Sequence, residues 1–222
     1  MQNGLIFRVI AILGLYFGLT YYGGEMGAKI LYPIRLFVTF LHEFGHAIGA
    51  VLTGGGVEEV QINQDGSGWT KSIGGNRPVI IMGGYLGSAI FGNLLFYVGA
   101  RSKRLVKPMM ALVIIAMLVT GFYWFNSLFT TGILIAFSLV LFLIAFKTPF
   151  GRDVLMFLGL ASVIYIIQDF NVGPKSDLMA YEQEMVFIPA NVWMYIWLAV
   201  AILLLIFNLR LLFSAPARVE EV

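Results

Sequence analysis

Cysteine is absent from this 222-residue chain, and histidine occurs only twice. Without cysteine the protein has no disulfide, no thiol nucleophile and no thiolate ligand, so any bound metal must be held by histidine and carboxylate groups. Charged residues are also scarce, at 12% of the chain, whereas apolar residues make up 59% and the mean hydropathy is +0.88. This composition excludes an ordinary soluble globule and predicts an all-α polytopic membrane protein.

Seven apolar runs approach or exceed the roughly 20 residues that one bilayer crossing needs. The predicted transmembrane helices cover residues 5–22, 30–52, 78–99, 109–125, 128–146, 154–169 and 192–213. The first run has no basic leader and no small-residue cleavage site, so it is predicted to be a retained anchor rather than a signal peptide. We therefore expect about seven transmembrane helices in one integral membrane domain over residues 1–222.

Residues 53–77, between the second and third runs, do not follow a helical pattern. Val60 and Ile62 precede the turn-forming sequence Asn63-Gln64-Asp65-Gly66-Ser67-Gly68, and Trp69 follows it. This pattern predicts a small β-hairpin after the second helix. The hairpin is either a plain surface turn or an edge that pairs with an extended substrate strand.

Basic residues divide unequally between the two faces that seven crossings define. The more basic face, called the basic face below, carries Lys29, Arg101, Lys103, Arg104, Lys107, Lys147, Arg152, Arg210 and Arg218, whereas the opposite face carries Arg8, Lys71, Arg77 and Lys175. The positive-inside rule then predicts a cytoplasmic basic face, an outside N-terminus and an inside C-terminus. The small net charge of +2 gives no indication of nucleic-acid binding.

Both histidines belong to one motif, His42-Glu43-Phe44-Gly45-His46, inside the second apolar run. The HExxH spacing places two imidazoles on one helical face as zinc ligands, with the glutamate beside them as general base. Ionisable side chains inside a membrane are costly and usually mark a functional site. The alternative interpretation is a hydrogen-bonded buried polar pair without a metal.

A catalytic zinc site uses three protein ligands, so the third ligand here must be a carboxylate or a weaker group. His46 lies 15 residues beyond Leu31 on the second helix, or about 22 Å along it, and Asp169 lies 16 residues beyond Asp153 on the sixth, or about 24 Å. These matching depths favour Asp169 as the third ligand. Asp177 is the alternative if the intervening loop folds back. Equally, Asp169 could cap the sixth helix and Asp177 could be an ordinary N-cap.

Two other features of the second and third helices bear on the site. Glycines recur on both helices and permit close helix approach, at Gly45, Gly49, Gly83, Gly84, Gly87 and Gly92. Arg35 lies seven residues before His42 on nearly the same helical face. It either extends toward the cytoplasmic interface or pairs with an acidic group inside the bundle.

Several segments together resemble the site-2 protease family of intramembrane zinc metalloproteases, and more narrowly its compact peptidase-like branch. They are His42-Glu43-Phe44-Gly45-His46-Ala47, Gly54-Gly55-Gly56, residues 57–73, Gly83-Gly84-Tyr85-Leu86-Gly87, Gln168-Asp169, Ser176-Asp177-Leu178 and Val192-Trp193-Met194-Tyr195-Ile196-Trp197. The resemblance implies a zinc ion held by His42, His46 and an aspartate, with Glu43 polarising the attacking water. The Leu-Asp-Gly signature of the main family is absent, since Phe170 and Asn171 follow Asp169.

These observations favour a zinc-dependent intramembrane endopeptidase that hydrolyses peptide bonds in or near the membrane. Its site core is expected within residues 30–99 and 152–180, and its partners are a membrane-embedded protein or peptide substrate and the lipid bilayer. One alternative is a non-proteolytic membrane chaperone or regulator that retains the protease fold. Another is a transporter coupled to protons or metal ions.

Overall fold

The computed structural model describes residues 2–170 and 176–214, which form eight helices and two strands. In chain order the elements are α1 (Gln2–Tyr22), α2 (Gly24–Leu52), β1 (Gly56–Ile62), β2 (Gly68–Ile73), α3 (Arg77–Arg101), α4 (Lys103–Tyr123), α5 (Leu128–Lys147), α6 (Gly151–Phe170), α7 (Ser176–Met185) and α8 (Ala190–Ser214).

Six of these helices, α1, α3, α4, α5, α6 and α8, are long and apolar enough to cross a membrane. The protein is thus a multi-pass integral membrane protein, which confirms the predicted all-α class, and the expected count of about seven spans is close. Helix α2 is the remaining predicted crossing. It is 29 residues long but carries four charged side chains, at Glu25, Lys29, Arg35 and Glu43.

Three helices depart from the predicted apolar runs. Helix α2 begins at Gly24 and helix α4 at Lys103, each six residues before the predicted start, because charged residues such as Lys and Arg continue a helix readily. Helix α7 is an additional short helix of 10 residues, too short to cross a bilayer. Hydropathy detects only the apolar part of a helix, so all three differences lie in polar sequence.

The predicted β-hairpin is present as an antiparallel pair of β1 and β2. Val60 lies opposite Thr70 and Ile62 lies opposite Gly68, with a bulge between Val57 and Glu59. At the turn, Gly66 adopts φ +81°, a left-handed conformation that favours glycine. The turn chemistry in the sequence therefore places the hairpin correctly.

The hairpin folds back along α2 instead of projecting away from it. The Thr70 hydroxyl lies 3.0 Å from the Glu43 carbonyl oxygen, and the Tyr32 hydroxyl donates to the Gln64 carbonyl at 2.6 Å. Because 11 residues separate Tyr32 from Glu43, these contacts extend over about 16 Å of the helix. The hairpin thus follows α2 from the level of Glu43 to that of Tyr32.

On the side of β1 away from β2, the hairpin contacts the connection between α4 and α5. The Val60 amide donates to the Trp124 carbonyl at 3.0 Å, and the Ile62 amide donates to Thr130 Oγ1 at 3.0 Å. The side chains of Val60 and Ile62 are fully buried. The β1 side of the hairpin is therefore covered by the α4–α5 connection, while the turn residues Gln64, Asp65 and Ser67 stay exposed.

Helices α2 and α3 pack closely at glycines, as the sequence predicts, and α6 packs against α3 in the same way at Gly159. A Cβ atom on Gly45 would collide with the carbonyl oxygen of Gly83, and one on Gly159 would lie 2.6 Å from the carbonyl oxygen of Gly92. These approaches place the backbones of α2 and α6 directly against α3. Helix α3 is thus the central element that the site-bearing helices share.

Helix α1 contacts α6 at two points. Arg8 forms an ion pair with Asp153 near the start of α6, and the Tyr16 hydroxyl donates to Gln168 Oε1 at 3.0 Å near its end. The count of crossings predicts opposite faces for Arg8 and Asp153, whereas the ion pair brings the two side chains together and lowers the cost of both charges.

Candidate metal centre

His42 and His46 lie one turn apart on the face of α2 that meets α3. Their spacing of four residues stacks the two side chains on one side of the helix. Their Nε2 atoms are 3.1 Å apart, so both nitrogens point at the same small volume. The HExxH motif therefore brings its two imidazoles together as expected from the helical repeat.

Asp177 joins the two histidines from the first turn of α7. Its Oδ2 atom lies 2.8 Å from His42 Nε2 and 3.3 Å from His46 Nε2. Ligand atoms around a tetrahedral zinc ion, bound at about 2.0–2.1 Å, are roughly 3.3 Å from one another. Potential ligand atoms of the three residues all lie within 4.8 Å of one another, so the donor set fits a zinc ion in spacing and in chemistry.

The orientation of His46 also suits a metal ligand. Its Nδ1 atom lies 2.7 Å from the carbonyl oxygen of Ile80. A carbonyl oxygen can only accept, so Nδ1 carries the proton and the lone pair of Nε2 faces His42 and Asp177. Metal-binding histidines commonly donate their other ring nitrogen to a carbonyl in this way, which fixes the ring and its tautomer.

Asp177 is ionised in this environment. Burial raises the pKa of its carboxyl group, but the adjacent His42 and His46 side chains lower the pKa by more, so it lies well below its usual range. The carboxylate is consequently available as an anionic ligand at neutral pH.

Glu43 is held beside the cluster by the hairpin. Its side chain is 3% exposed, and its Oε2 atom accepts a hydrogen bond from Thr70 Oγ1 at 2.8 Å. A Cβ atom on Gly68 would lie 2.7 Å from Glu43 Oε1, so the strand backbone leaves no space for a side chain there. Strand β2 therefore restricts the position of the carboxylate.

Asp169 lies near the cluster but does not join it. Its Oδ2 atom accepts a hydrogen bond from the Tyr85 hydroxyl at 2.9 Å, and the Tyr85 ring meets the His42 ring edge-on with centroids 4.7 Å apart. The structure therefore groups the alternative candidate, Asp177, with the histidines. Depth along α6 predicts the level of Asp169 but not the direction in which its side chain points. Residues 171–175, which connect Asp169 to α7, lie outside the described residues.

Three groups at the site are given no role by the sequence: the Thr70 hydroxyl, the Ile80 carbonyl and the Tyr85 ring. Of the three, only Tyr85 could have been found from the sequence, because the glycine pair Gly83-Gly84 directly precedes it. A Cβ atom on Gly84 would lie 2.5 Å from His46 Nε2 and 2.7 Å from His42 Cε1. Glycine at this position leaves the space that the imidazoles occupy, so the pair marks where α3 meets the motif.

A cavity of about 680 Å³ connects these groups. Its lining includes the three clustered residues, Glu43, Asp169 and the face of β2, and it extends along α2 to Arg35 and Gly66 at the hairpin tip. The cavity is therefore large enough for an extended segment of peptide beside the cluster.

Comparison with known proteins adds one match. A protein-family model described as Peptidase M50B-like matches residues 7–208, which is nearly the whole chain. Searches of curated proteins and of solved structures found no match.

Proposed function

The chain belongs to the Peptidase M50B-like family, a site-2 protease family, and on that premise we propose that it is a zinc-dependent intramembrane endopeptidase. The proposal treats residues 1–222 as one integral membrane domain that hydrolyses peptide bonds in or near the bilayer. The observation that carries it is the convergence of His42 Nε2, His46 Nε2 and Asp177 Oδ2 beside a buried glutamate.

We propose that His42, His46 and Asp177 hold the zinc ion. A zinc ion bound there would supply Lewis-acid polarisation of the scissile carbonyl and would lower the pKa of a bound water. Two neutral imidazoles and one carboxylate are a ligand set known in catalytic zinc sites, which keep one position open for water or substrate.

Glu43 is the general base in this proposal. Its carboxylate accepts a proton from the attacking water and later passes that proton to the leaving nitrogen of the cleaved peptide bond. The hydrogen bond from Thr70 holds Oε2 in place, so the base is positioned before substrate arrives. General acid–base catalysis of this kind typically contributes about 100-fold to 10,000-fold in rate.

We propose that the substrate is a membrane-embedded protein or peptide, bound in an extended conformation along β2. The far side of β1 is occupied by the α4–α5 connection, whereas β2 lines the cavity that contains Glu43. A helical substrate must unwind before its peptide bonds become accessible, and a strand edge offers main-chain hydrogen bonds to the unwound segment.

We further propose that the basic face is cytoplasmic, with the C-terminus inside and the N-terminus outside. The native chain has no cysteine, so single cysteines introduced at Ser102 and Ile73 can be labelled without background. A membrane-impermeant maleimide should label Ile73→Cys from outside and Ser102→Cys only after the membrane is opened. A third variant, Gly4→Cys, tests the N-terminus separately, and labelling with the opposite sidedness would reverse the orientation.

The substitution Glu43→Gln tests the catalytic proposal. Purified protein in detergent is incubated with a proteome-derived peptide library, and new termini are identified by mass spectrometry while zinc is measured by elemental analysis. We expect the native chain to produce new termini and Glu43→Gln to reduce them at least about 100-fold with zinc retained. Glu58→Gln, on the half-exposed face of the hairpin, is the matched control and should cleave normally.

Cleavage that persists in Glu43→Gln would contradict the proposal. Absence of cleavage by the native chain, together with a cellular phenotype that Glu43→Gln leaves intact, would identify a non-proteolytic chaperone or regulator instead.

A further inference from the structure

Arg35 occupies the end of the cavity away from the metal cluster. It lies seven residues before His42 on α2, about 10 Å along the helix. Both residues line the same cavity, together with the β2 face that lies between them. A cation and a candidate catalytic centre therefore line one cavity.

The Arg35 guanidinium has no ion-pair partner among the residues that the structure describes. Asp65, the acidic residue at the hairpin tip, uses its Oδ1 atom to accept from the Ser67 amide at 2.9 Å and the Ser67 hydroxyl at 2.7 Å. A charged side chain within a membrane protein is costly unless it is paired or solvated, and it usually marks a ligand or ion pathway. Arg35 is exposed and its charge acts on Asp65, but no carboxylate oxygen of the described residues lies within 4.0 Å of it, so the guanidinium is open to an anionic ligand that enters the cavity.

The hairpin tip is built around this side chain. A Cβ atom on Gly66 would lie 2.5 Å from Arg35 Nε, so the Arg35 side chain packs directly against the turn. The Thr39 hydroxyl lies 2.7 Å from the Gly66 carbonyl oxygen, which fixes the tip against α2. Arg35 therefore lies against the hairpin tip and lines the cavity beside β2.

We propose that Arg35 binds a carboxylate of the peptide substrate, about three residues from the bond that is cleaved. An extended chain rises about 3.3 Å per residue, so the roughly 10 Å between the levels of Arg35 and His42 corresponds to about three residues. Arginine binds carboxylates through two parallel hydrogen bonds, which gives geometric specificity as well as charge. This inference rests on the proposed function, because it assigns a preferred substrate class to the same cavity.

Peptide binding without turnover tests the proposal. The full chain carrying Glu43→Gln is placed in phosphatidylcholine nanodiscs, and binding of fluorescent peptides is measured by polarisation. The parent peptide is uncharged. One series carries a single aspartate at successive positions of that peptide, and the matched series carries asparagine at the same positions. We expect one aspartate position to bind about tenfold more tightly than its asparagine counterpart, a difference typical of one charge-assisted hydrogen-bonding pair.

When Arg35→Gln is added to Glu43→Gln, the ratio of aspartate-peptide to asparagine-peptide affinity should fall to about one. Arg35→Lys should retain part of that preference because the charge remains. Equal zinc content in all variants shows that the fold is intact. A ratio that persists in Arg35→Gln, or the absence of any discriminating position, would overturn the assignment.

Anionic lipid is the competing source of negative charge. If phosphatidylglycerol raises the melting temperature of the native chain but not of Arg35→Gln, while no peptide position discriminates, Arg35 binds lipid phosphate and the assignment is wrong. Because binding is measured in an inactive variant, failure of peptide cleavage in the library assay does not alter this result. The two proposals can therefore fail independently.

Discussion

Paired substitutions of Asp177 and Asp169 by asparagine provide the sharpest test of the metal centre. Both carboxylates line the same cavity, and each substitution removes one charge while keeping the size and one oxygen acceptor. We expect Asp177→Asn to lose zinc and Asp169→Asn to retain it. The two variants are therefore matched controls for each other.

The expected magnitudes follow from the contacts of each carboxylate. Asp177 Oδ2 lies 2.8 Å and 3.3 Å from the two histidine nitrogens, so its loss leaves two ligands where catalytic zinc sites use three. Changes to groups that only support a ligand typically cost about 10-fold to 100-fold in metal affinity. Removal of a ligand should exceed that range, so Asp177→Asn should weaken zinc binding more than about 100-fold, or about 2.7 kcal/mol.

Asp169 acts through Tyr85, whose ring touches His42. Asparagine can still accept the hydrogen bond from the Tyr85 hydroxyl, so the position of the ring is preserved. We expect Asp169→Asn to weaken zinc binding less than about tenfold, the lower end of the range for supporting groups.

The measurement is zinc content by elemental analysis after dialysis of purified protein against graded concentrations of a chelator. Thermal unfolding of each variant, measured with zinc present, checks that the protein remains folded. Loss of zinc from Asp169→Asn with retention by Asp177→Asn would refute the assignment and restore the ligand that helix depth favours.

Two further substitutions test how the neighbours of the cluster act. Thr70→Val removes the hydroxyl that donates to Glu43 and should lower kcat about tenfold with zinc content unchanged. Thr70→Ser keeps a hydroxyl and should restore the rate. Equal rates in the Val and Ser variants would contradict a positioning role for Thr70. Gly84→Ala places a Cβ atom 2.5 Å from His46 Nε2 and should lower zinc content, measured as above, while Gly132→Ala, which has nothing within 4 Å, should not. Full zinc in Gly84→Ala would show that the imidazoles tolerate displacement.

The fold could be predicted largely from hydropathy and turn chemistry. Long apolar runs locate the transmembrane helices because the bilayer sets their length, and Asn63–Ser67 locate the hairpin because few sequences favour such a turn. The return of the hairpin along α2 could not be predicted in the same way. It depends on contacts such as that between Tyr32 and Gln64, which lie 32 residues apart and carry no local signal.

The candidate site likewise has a part that local sequence predicts and a part that it does not. His42, Glu43 and His46 are placed together by the helical repeat, which is a local property of the sequence. The choice between Asp169 and Asp177 depends on the rotation of α6 and on the path of the chain into α7. Apolar composition on all sides of α6 does not define its rotation, since Asp153 and Asp169 are its acidic residues and lie near its two ends. Depth alone therefore favours Asp169, whereas the structure brings Asp177 to the histidines.

The β-hairpin joins parts of the protein that are otherwise remote from the chemistry. Trp124 accepts from the Val60 amide, Val60 lies opposite Thr70, and Thr70 donates to Glu43. Helices α4 and α5 contribute no side chain to the metal cluster, yet any sideways movement of their connection displaces β1 and, through the paired strand, the hydroxyl beside the general base. Mechanical coupling of this kind makes the alignment of Glu43 sensitive to forces on the outer helices, including those that come from bilayer thickness.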